Sequence, residues 1–204
     1  MNQLEPYQKI INQMIVDIIF FSSNGWVLGT SGGFSSKLDS DLIVVSQTHK
    51  DKSLMKPSDF ILVDSQGNPK SDGTPSGETA YHLCVYNHLE DVKGVIHTHS
   101  VYGTLISELY DKKITFQDYE FLKGIDILHS LNSGIEVPIF SNWQQLNNNC
   151  ELISSYLESY PTVAFLLKKH GLFVWGNSWE QSKQHCEILE FLFQLTYLKK
   201  SRLT

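Results

Sequence analysis

The sequence predicts an α/β protein in which helices cover a mostly antiparallel β-sheet, arranged either as an α+β domain or as three α/β/α layers. Three observations predict this class. A helical apolar pattern opens the chain, and a long amphipathic helical pattern closes it. Between them lie short β-rich runs that are separated by Gly, Ser, Asn and Asp. These observations leave the strand order open.

The first predicted element is an amphipathic helix of about five turns. Its apolar positions recur three and four residues apart, at Ile11, Met14, Ile15, Ile18 and Ile19. The polar stretch SSNG ends this helix and places Gly25 near its C-cap. Strands are predicted next in WVLGTSGGFSS, DLIVVS and DFILVDSQGNPK.

The second half of the chain continues the alternation of helices and strands. A helix with an N-terminal Ser cap and Glu78 in its first turn is predicted in PSGETAYHLCVYNHLEDV, and the strand GVIHTHS follows it. A hairpin that turns at residues 169–171 is predicted in VAFLLKKHGLFVWG. The last helix begins with a capping box from Ser178 to Gln181.

Length and charge limit the kinds of partner. With 204 residues, 41% of them hydrophobic, the chain can bury a substantial core, and we expect a single domain over residues 1–204. A net charge of -6 with scattered Lys and Arg argues against nucleic acid and against a polybasic membrane contact. A small anionic substrate needs only a few local donors and stays compatible with this charge.

The N-terminal segment favours a cytoplasmic protein. MNQLEPYQK lacks the basic region and cleavage site of a signal peptide, and MIVDIIFF is too short to span a bilayer and contains Asp17. Cys84, Cys150 and Cys186 are odd in number and lack CxxC spacing. They predict neither a disulfide framework nor a zinc knuckle, and we interpret them as reduced packing residues.

The segment GVIHTHS carries a candidate metal site. On an extended strand, residues i and i+2 point to the same face, so His97 and His99 can present two imidazoles to one point. His170 is the best third ligand, because Gly171 lets the backbone of the KKHGLF turn approach closely. Two polar residues at a strand end are the alternative. An imidazole set without nearby cysteine favours Zn²⁺, although Mn²⁺, Fe²⁺ or Co²⁺ fit the same ligands.

Two carboxylates are candidate proton carriers. Glu78 lies at a helix start, where an acidic residue more often complements the helix dipole, and Glu120 lies in the mixed stretch QDYEFLKG, where an exposed helix residue is the alternative. Three clusters of small polar residues are candidate phosphate loops, although each alone is an ordinary turn. They are GTSGG at 29–33, VSQT at 45–48 and PSGE at 75–78.

The chain resembles the class II aldolase and adducin superfamily in five motifs that span nearly its whole length: GTSGGFS, VVSQTHKDK, PSGETAYHLCVYN, GVIHTHS and LLKKHGLFVWG. Three further stretches are similar to a branch of this superfamily that dehydrates a phosphorylated sugar: TFQDYEFLKGI, VPIFSN and KKHGLFVWGNSWEQSKQHCEILEFLF. The resemblance implies a three-layer α/β/α catalytic domain and a homotetramer.

The resemblance also implies roles for individual residues. One Zn²⁺ per subunit would be held by His97, His99 and His170, with Glu120 as the catalytic acid or base. Glu78 matches the active-site carboxylate of the sugar-phosphate aldolases, a position that is cysteine in some dehydratases. The superfamily's phosphate-contacting residues fall on Thr30, Ser31, Gly32, Ser46 and Ser76.

The chain departs from the superfamily pattern in two places. Gly33 stands where the superfamily has Asn, and Gln47 stands where we expect the Gly of a tight turn. Both departures concern the phosphate contacts and leave the metal ligands intact. Three functions stay open: a dehydratase, an aldolase or 4-epimerase acting on a sugar phosphate, and a non-enzymatic interaction module like the adducin head.

Overall fold

The computed structural model describes residues 3–125, 134–142 and 146–202. The helices are α1 (Gln8–Ser23), α2 (Thr79–His88), α3 (Val101–Leu109), α4 (Leu146–Ser159) and α5 (Trp179–Ser201). The strands are β1 (Gly33–Asp39), β2 (Leu42–Ser46), β3 (Phe60–Val63), β4 (Gly94–Thr98), β5 (Lys113–Phe116), β6 (Ile135–Phe140), β7 (Ala164–Leu167) and β8 (Gly171–Gly176). Short 3₁₀ helices lie at Glu5–Tyr7, Lys52–Leu54, Pro57–Asp59 and Glu120–Gly124.

The eight strands form one sheet in the order β3-β2-β1-β4-β8-β7-β6-β5. Neighbouring strands are antiparallel except for the β6–β7 pair, which is parallel. The prediction of a mostly antiparallel sheet is therefore confirmed. The central strands β4 and β8 are buried along their whole length, because helices cover both faces of the sheet at this point.

Two apolar cores lie on opposite faces of this sheet. Residues of α1, α3 and α5 pack in one core, and residues of α2 and α4 pack in the other. Alternate residues of β4 reach different cores, because Ile96 belongs to the first and Val95 to the second. The protein thus has the three-layer α/β/α architecture that the resemblance implies.

The two long helices follow the predicted patterns with one difference. Helix α1 buries Ile11, Met14 and Ile18, but Ile19 is 37% exposed and Phe21 takes its place in the core. The Ser178 hydroxyl caps α5 by accepting from the backbone N–H of Gln181. No helix among the described residues is long and apolar enough to cross a membrane.

The predicted hairpin is formed by β7 and β8, which pair in antiparallel register. Lys169 adopts a left-handed conformation (φ 58°) between the two strands. The register of β8 against β4 brings this turn to the C-terminal end of β4, where the His-x-His motif lies. The fold therefore places two distant segments of the chain side by side.

Candidate metal centre

Three histidines meet at the end of β4. His97 is paired with Gly33 of β1 and Phe173 of β8, whereas His99 follows the last strand residue. His170 precedes β8 and comes from the β7–β8 turn. A Cβ atom at Gly171 would lie 1.9 Å from the carbonyl oxygen of Thr98. As predicted, glycine allows the backbone next to His170 to approach the end of β4.

The ring nitrogens of these histidines converge on one point together with a carboxylate. The Nε2 atom of His99 lies 2.7 Å from Nε2 of His97 and 3.1 Å from Nε2 of His170. Ligand atoms from Glu78, His97, His99 and His170 all lie within 4.8 Å of one another. This is the spacing that donors around a single metal ion require.

The hydrogen bond of His97 leaves its inward nitrogen available as a ligand. His97 is fully buried, and its Nδ1 lies 2.9 Å from the carbonyl oxygen of Leu172, which can only accept a hydrogen bond. The proton therefore sits on Nδ1, and Nε2 presents its lone pair to the cluster. The ring also stacks on Phe173 at 3.8 Å between centroids, which fixes its orientation. These donors fit a divalent metal ion.

Glu78 enters the cluster from the start of α2. The structure corrects the predicted helix start: Glu78 is the residue before the helix, not part of its first turn, and the Ser76 hydroxyl accepts from the backbone N–H of Glu78 at 3.4 Å. The carboxylate does not cap its own helix. It lies 2.8 Å from Nε2 of His170 and 3.2 Å from Nε2 of His97.

The charge states of the cluster suit metal binding. Burial alone would raise the pKa of Glu78, but its contacts with His97 and His170 hold that pKa well below its usual range. The pKa of His99 is lowered to about 3, first by burial and then by the neighbouring His97 and His170. A carboxylate and a neutral imidazole are the forms that bind metal ions.

Glu120 lies outside this cluster. It begins the 3₁₀ helix Glu120–Gly124, its side chain is 77% exposed, and its carboxylate pairs with Lys123. Next to it, Phe121 is 54% exposed and packs against Phe191, with the ring centroids 4.6 Å apart and the ring planes tilted by 44°. The described part of a single chain therefore does not bring Glu120 to the histidines.

The predicted phosphate loops differ in how close they lie to the histidine cluster. Gly32 has φ 81°, and a Cβ there would lie 2.8 Å from the carbonyl oxygen of His97, so this loop lies against the backbone of the histidine cluster. Ser76 is two residues from Glu78. The Ser31 hydroxyl accepts from the backbone N–H of Leu28, and Thr30 is exposed. Ser46 is buried and accepts from the N–H of Phe34, so it also supports the strands.

The structure accounts for both departures from the superfamily pattern. A Cβ at Gly33 would lie 3.0 Å from Nε2 of His82, whose buried ring occupies the space that a side chain would need. The left-handed conformation that a glycine would allow occurs at His49 (φ 57°), directly after the loop at 45–48, and not at Gln47. Gln47 instead forms a β-bridge with Pro75 and donates to the carbonyl of Ser58.

Lys52 lies near the cluster, where the sequence predicts no functional residue. It is 1% exposed, and its ammonium donates to the carbonyl oxygens of Lys50 and Thr30 at 3.0 and 3.4 Å. Burial lowers its pKa, while the charges of Glu78 and Asp51 oppose that change. Its position in the polar run QTHKDK looks like a solvated loop, so the sequence carries no signal for its burial.

Known proteins resemble this chain in amino-acid sequence. A family model described as the class II aldolase and adducin N-terminal domain matches residues 17–197. The chain is 34% identical over 177 residues to methylthioribulose-1-phosphate dehydratase of Methylococcus capsulatus, covering 86% of this chain and 87% of that protein. It is 36% identical over 170 residues to the enzyme of the same name from Picosynechococcus sp., covering 81% and 80%.

Solved structures share the fold at lower identity. YgbL from Klebsiella pneumoniae superposes with a TM-score of 0.80 at 22% identity, covering 94% of this chain and 89% of that one. L-Fuculose-1-phosphate aldolase from Thermus thermophilus superposes with a TM-score of 0.73 at 18% identity, covering 93% and 95%. At these identities the likeness shows a common fold and no more.

Proposed function

The chain belongs to the class II aldolase and adducin family, and from this premise we propose that it is a methylthioribulose-1-phosphate dehydratase. The reaction would remove water from 5-methylthioribulose 1-phosphate and give 5-methylthio-2,3-dioxopentyl phosphate, a step of methionine salvage in the cytoplasm. The observation that carries the proposal is the convergence of Glu78, His97, His99 and His170 in a chain 34% identical to enzymes of that name. A non-enzymatic module would not need this cluster.

We infer that His97, His99 and His170 hold one Zn²⁺ per subunit. Three imidazoles without a cysteine are the donor set of many catalytic zinc sites, and the lone pair of His97 Nε2 already points into the cluster. When bound, the metal supplies a Lewis acid that polarises the C2 carbonyl of the substrate. Glu78 completes the cluster with a negative charge that attracts the ion.

The two carboxylates, Glu78 and Glu120, have different parts in the proton transfers. Dehydration removes the C3 proton and protonates the leaving C4 oxygen, so the site needs a base and an acid. Glu78 is held as a carboxylate by its histidine contacts, so it is a poor proton donor, and its lowered pKa also makes it a weak base. We assign proton transfer to the substrate mainly to Glu120, with Glu78 assisting. The enol that results tautomerises to the diketone.

The exposed position of Glu120 suggests how it reaches a substrate. We propose a homotetramer in which Glu120 of one subunit enters the active site of its neighbour. The supporting observation is the apolar surface formed by Phe121 and Phe191 beside Glu120, which a subunit contact would cover. In this arrangement the ion pair between Glu120 and Lys123 would break when the subunits assemble.

The loops around the centre offer contacts to the substrate phosphate. We assign this contact to Thr30, Ser31, Gly32 and Ser76, with Ser46 holding the strand beneath them. Gly32 lies against the His97 carbonyl and Ser76 lies next to Glu78, so a phosphate held there would place its sugar near the histidines. Lys52 lies below the same loop and contributes a positive charge.

A second function, sugar-phosphate aldolase or 4-epimerase, is favoured by one specific observation. Glu78 faces the histidines at the position of the aldolase carboxylate, and the same fold occurs in an L-fuculose-1-phosphate aldolase. Carbon-carbon cleavage and dehydration both begin beside a polarised carbonyl, so the metal centre alone does not select between them.

The two functions are separated by comparing substrates and variants. Zinc-loaded wild-type protein is incubated separately with 5-methylthioribulose 1-phosphate and with L-fuculose 1-phosphate, and each product is identified. Dehydration of the first substrate without cleavage of the second supports the proposal. Glu78→Gln should lower kcat by about 10²- to 10⁴-fold if Glu78 accepts a proton. Unchanged turnover of Glu78→Gln would remove that role.

A further inference from the structure

Two cysteines lie against each other on the face of the protein formed by α2 and α4. The thiol of Cys84 on α2 donates to the carbonyl oxygen of Cys150 on α4 at 3.5 Å. The thiol of Cys150 donates in return to the carbonyl oxygen of Ala80 on α2 at 3.8 Å. Each sulfur therefore points at the opposite helix.

A groove gives small molecules access to this pair. Cys84 and Cys150 line an open cavity of about 780 Å³ together with Gln66, Asn87 and Glu151. Cys150 is only half-buried, whereas Cys84 is 6% exposed behind it. A reagent of the size of a small peptide disulfide fits this volume. The third cysteine, Cys186, is fully buried in the other core and has no such access.

The surroundings make the two sulfurs chemically different. The contact with Cys150 and the Ser154 hydroxyl at 3.5 Å lower the pKa of Cys84 to about 7, against the effect of burial, and the charge of His88 acts in the same direction. The pKa of Cys150 is raised by the contact with Cys84 and by burial. At neutral pH Cys84 is therefore the better nucleophile and Cys150 is the thiol that attacks second.

We propose that Cys84 and Cys150 form a redox-active dithiol that undergoes reversible thiol-disulfide exchange with small disulfides entering this groove. The Cys84 thiolate attacks one sulfur of the disulfide RSSR and releases RS⁻, which leaves a mixed disulfide on Cys84. Cys150 then loses its proton and attacks the Cys84 sulfur, and a second RS⁻ leaves. The protein gives up two electrons and two protons, and RSSR becomes two RSH.

All three cysteines are free thiols, as the sequence predicts, and the proposal adds a redox role for Cys84 and Cys150. It does not depend on the proposed dehydratase activity, since neither sulfur belongs to the metal cluster. The product disulfide would join α2 to α4 across the core that these helices share. Because α2 begins directly after Glu78, the disulfide would connect the cluster of Glu78 and the histidines to α4.

The test uses the zinc-loaded full chain in buffers of reduced and oxidised glutathione at several ratios. Free thiols are trapped by acid and alkylation, and peptides are mapped by mass spectrometry. We expect a Cys84–Cys150 disulfide that forms with oxidised glutathione and disappears with excess reduced glutathione, while Cys186 stays a thiol. Absence of this disulfide at every ratio, or a disulfide that involves Cys186, would overturn the proposal.

Matched variants test the order of attack. Cys150→Ser should stop at a glutathione mixed disulfide on Cys84, whereas Cys84→Ser should react at least about tenfold more slowly at Cys150. Equal rates would refute the assigned order. If either variant fails to fold, the pH dependence of alkylation in wild-type protein gives the same answer. Cys84 should titrate near pH 7, in the field of His88, Glu151 and Cys150, and a midpoint above that of a free thiol contradicts the proposal.

Discussion

The Nδ1 atom of His97 donates a hydrogen bond to the carbonyl oxygen of Leu172 at 2.9 Å, across the β4–β8 pair. This single contact decides which ring nitrogen carries the proton, and it turns the lone pair of Nε2 toward His99, His170 and Glu78. The backbone of β8 thus orients the ring of His97 on β4 so that its Nε2 faces the cluster.

Removing His99, a partly exposed residue of the cluster, should abolish tight metal binding without unfolding the protein. His99 is 27% exposed on its side chain, so His99→Ala leaves little empty space. We expect zinc affinity to fall by at least about 100-fold, since losing an outer partner alone costs about 10- to 100-fold. Competition with a chelator measures the affinity. His88→Ala, an exposed histidine outside the cluster, is the control, and equal affinity in both variants would refute the ligand assignment.

Mixed oligomers test whether Glu120 acts on a neighbouring subunit. His99→Ala and Glu120→Gln proteins should each be nearly inactive. After the two are unfolded together and refolded with zinc, some sites would combine three histidines of one subunit with Glu120 of another. We expect activity to reappear in the mixture and not in either variant refolded alone. If the mixture stays inactive although mixed oligomers form, Glu120 does not act across subunits.

The close approach of Gly171 to β4 predicts a sensitive position. A Cβ there would meet the Thr98 carbonyl oxygen at 1.9 Å, and backbone atoms cannot move aside easily. Gly171→Ala should lower the free energy of unfolding by about 1–3 kcal/mol or more and weaken zinc binding, because His170 and Thr98 would separate. Gly77→Ala, where no atom lies within 4 Å, is the matched control for denaturant unfolding. Equal stability of the two variants would contradict this geometry.

His82 predicts a loss of stability in acid. Burial first, and then the charge of His97, lower its pKa from 6.5 to about 3, so the folded protein keeps this ring neutral. Between these values the unfolded chain binds one more proton, and stability therefore falls as the pH decreases from about 6.5 toward 3. Denaturant unfolding of metal-free protein should show wild type losing about 1 kcal/mol more than His82→Gln between about pH 7 and about pH 5.5. If wild type and His82→Gln lose the same free energy of unfolding over this pH range, His82 is not held neutral in the folded protein.

Much of the fold could be predicted because its signals are local. The spacing of Ile11, Met14 and Ile18, the Ser178 cap and the glycine turn after His170 all report the conformation of nearby residues. The strand order could not be predicted, because it depends on pairings such as that of β4 with β8, which lie far apart in the sequence.

In the candidate site, too, local features could be predicted and contacts between distant segments could not. The spacing of His97 and His99 predicts that they share a face, and the Gly turn points to His170. The sequence could not show that Glu78 turns away from its helix toward them, since a Glu at a helix start usually complements the helix dipole. It also could not separate Cys84 and Cys150 from packing residues, because only the contact between α2 and α4 brings them together.

The most direct test of the proposed function is the identity of the product that zinc-loaded protein forms from 5-methylthioribulose 1-phosphate. Mass spectrometry of the reaction mixture, with chelator-treated protein alongside, should show a phosphate ester lighter by one water, and only in the zinc-loaded sample. Cleavage into two smaller carbonyl compounds, an epimer of unchanged mass, or equal product without metal would contradict the account.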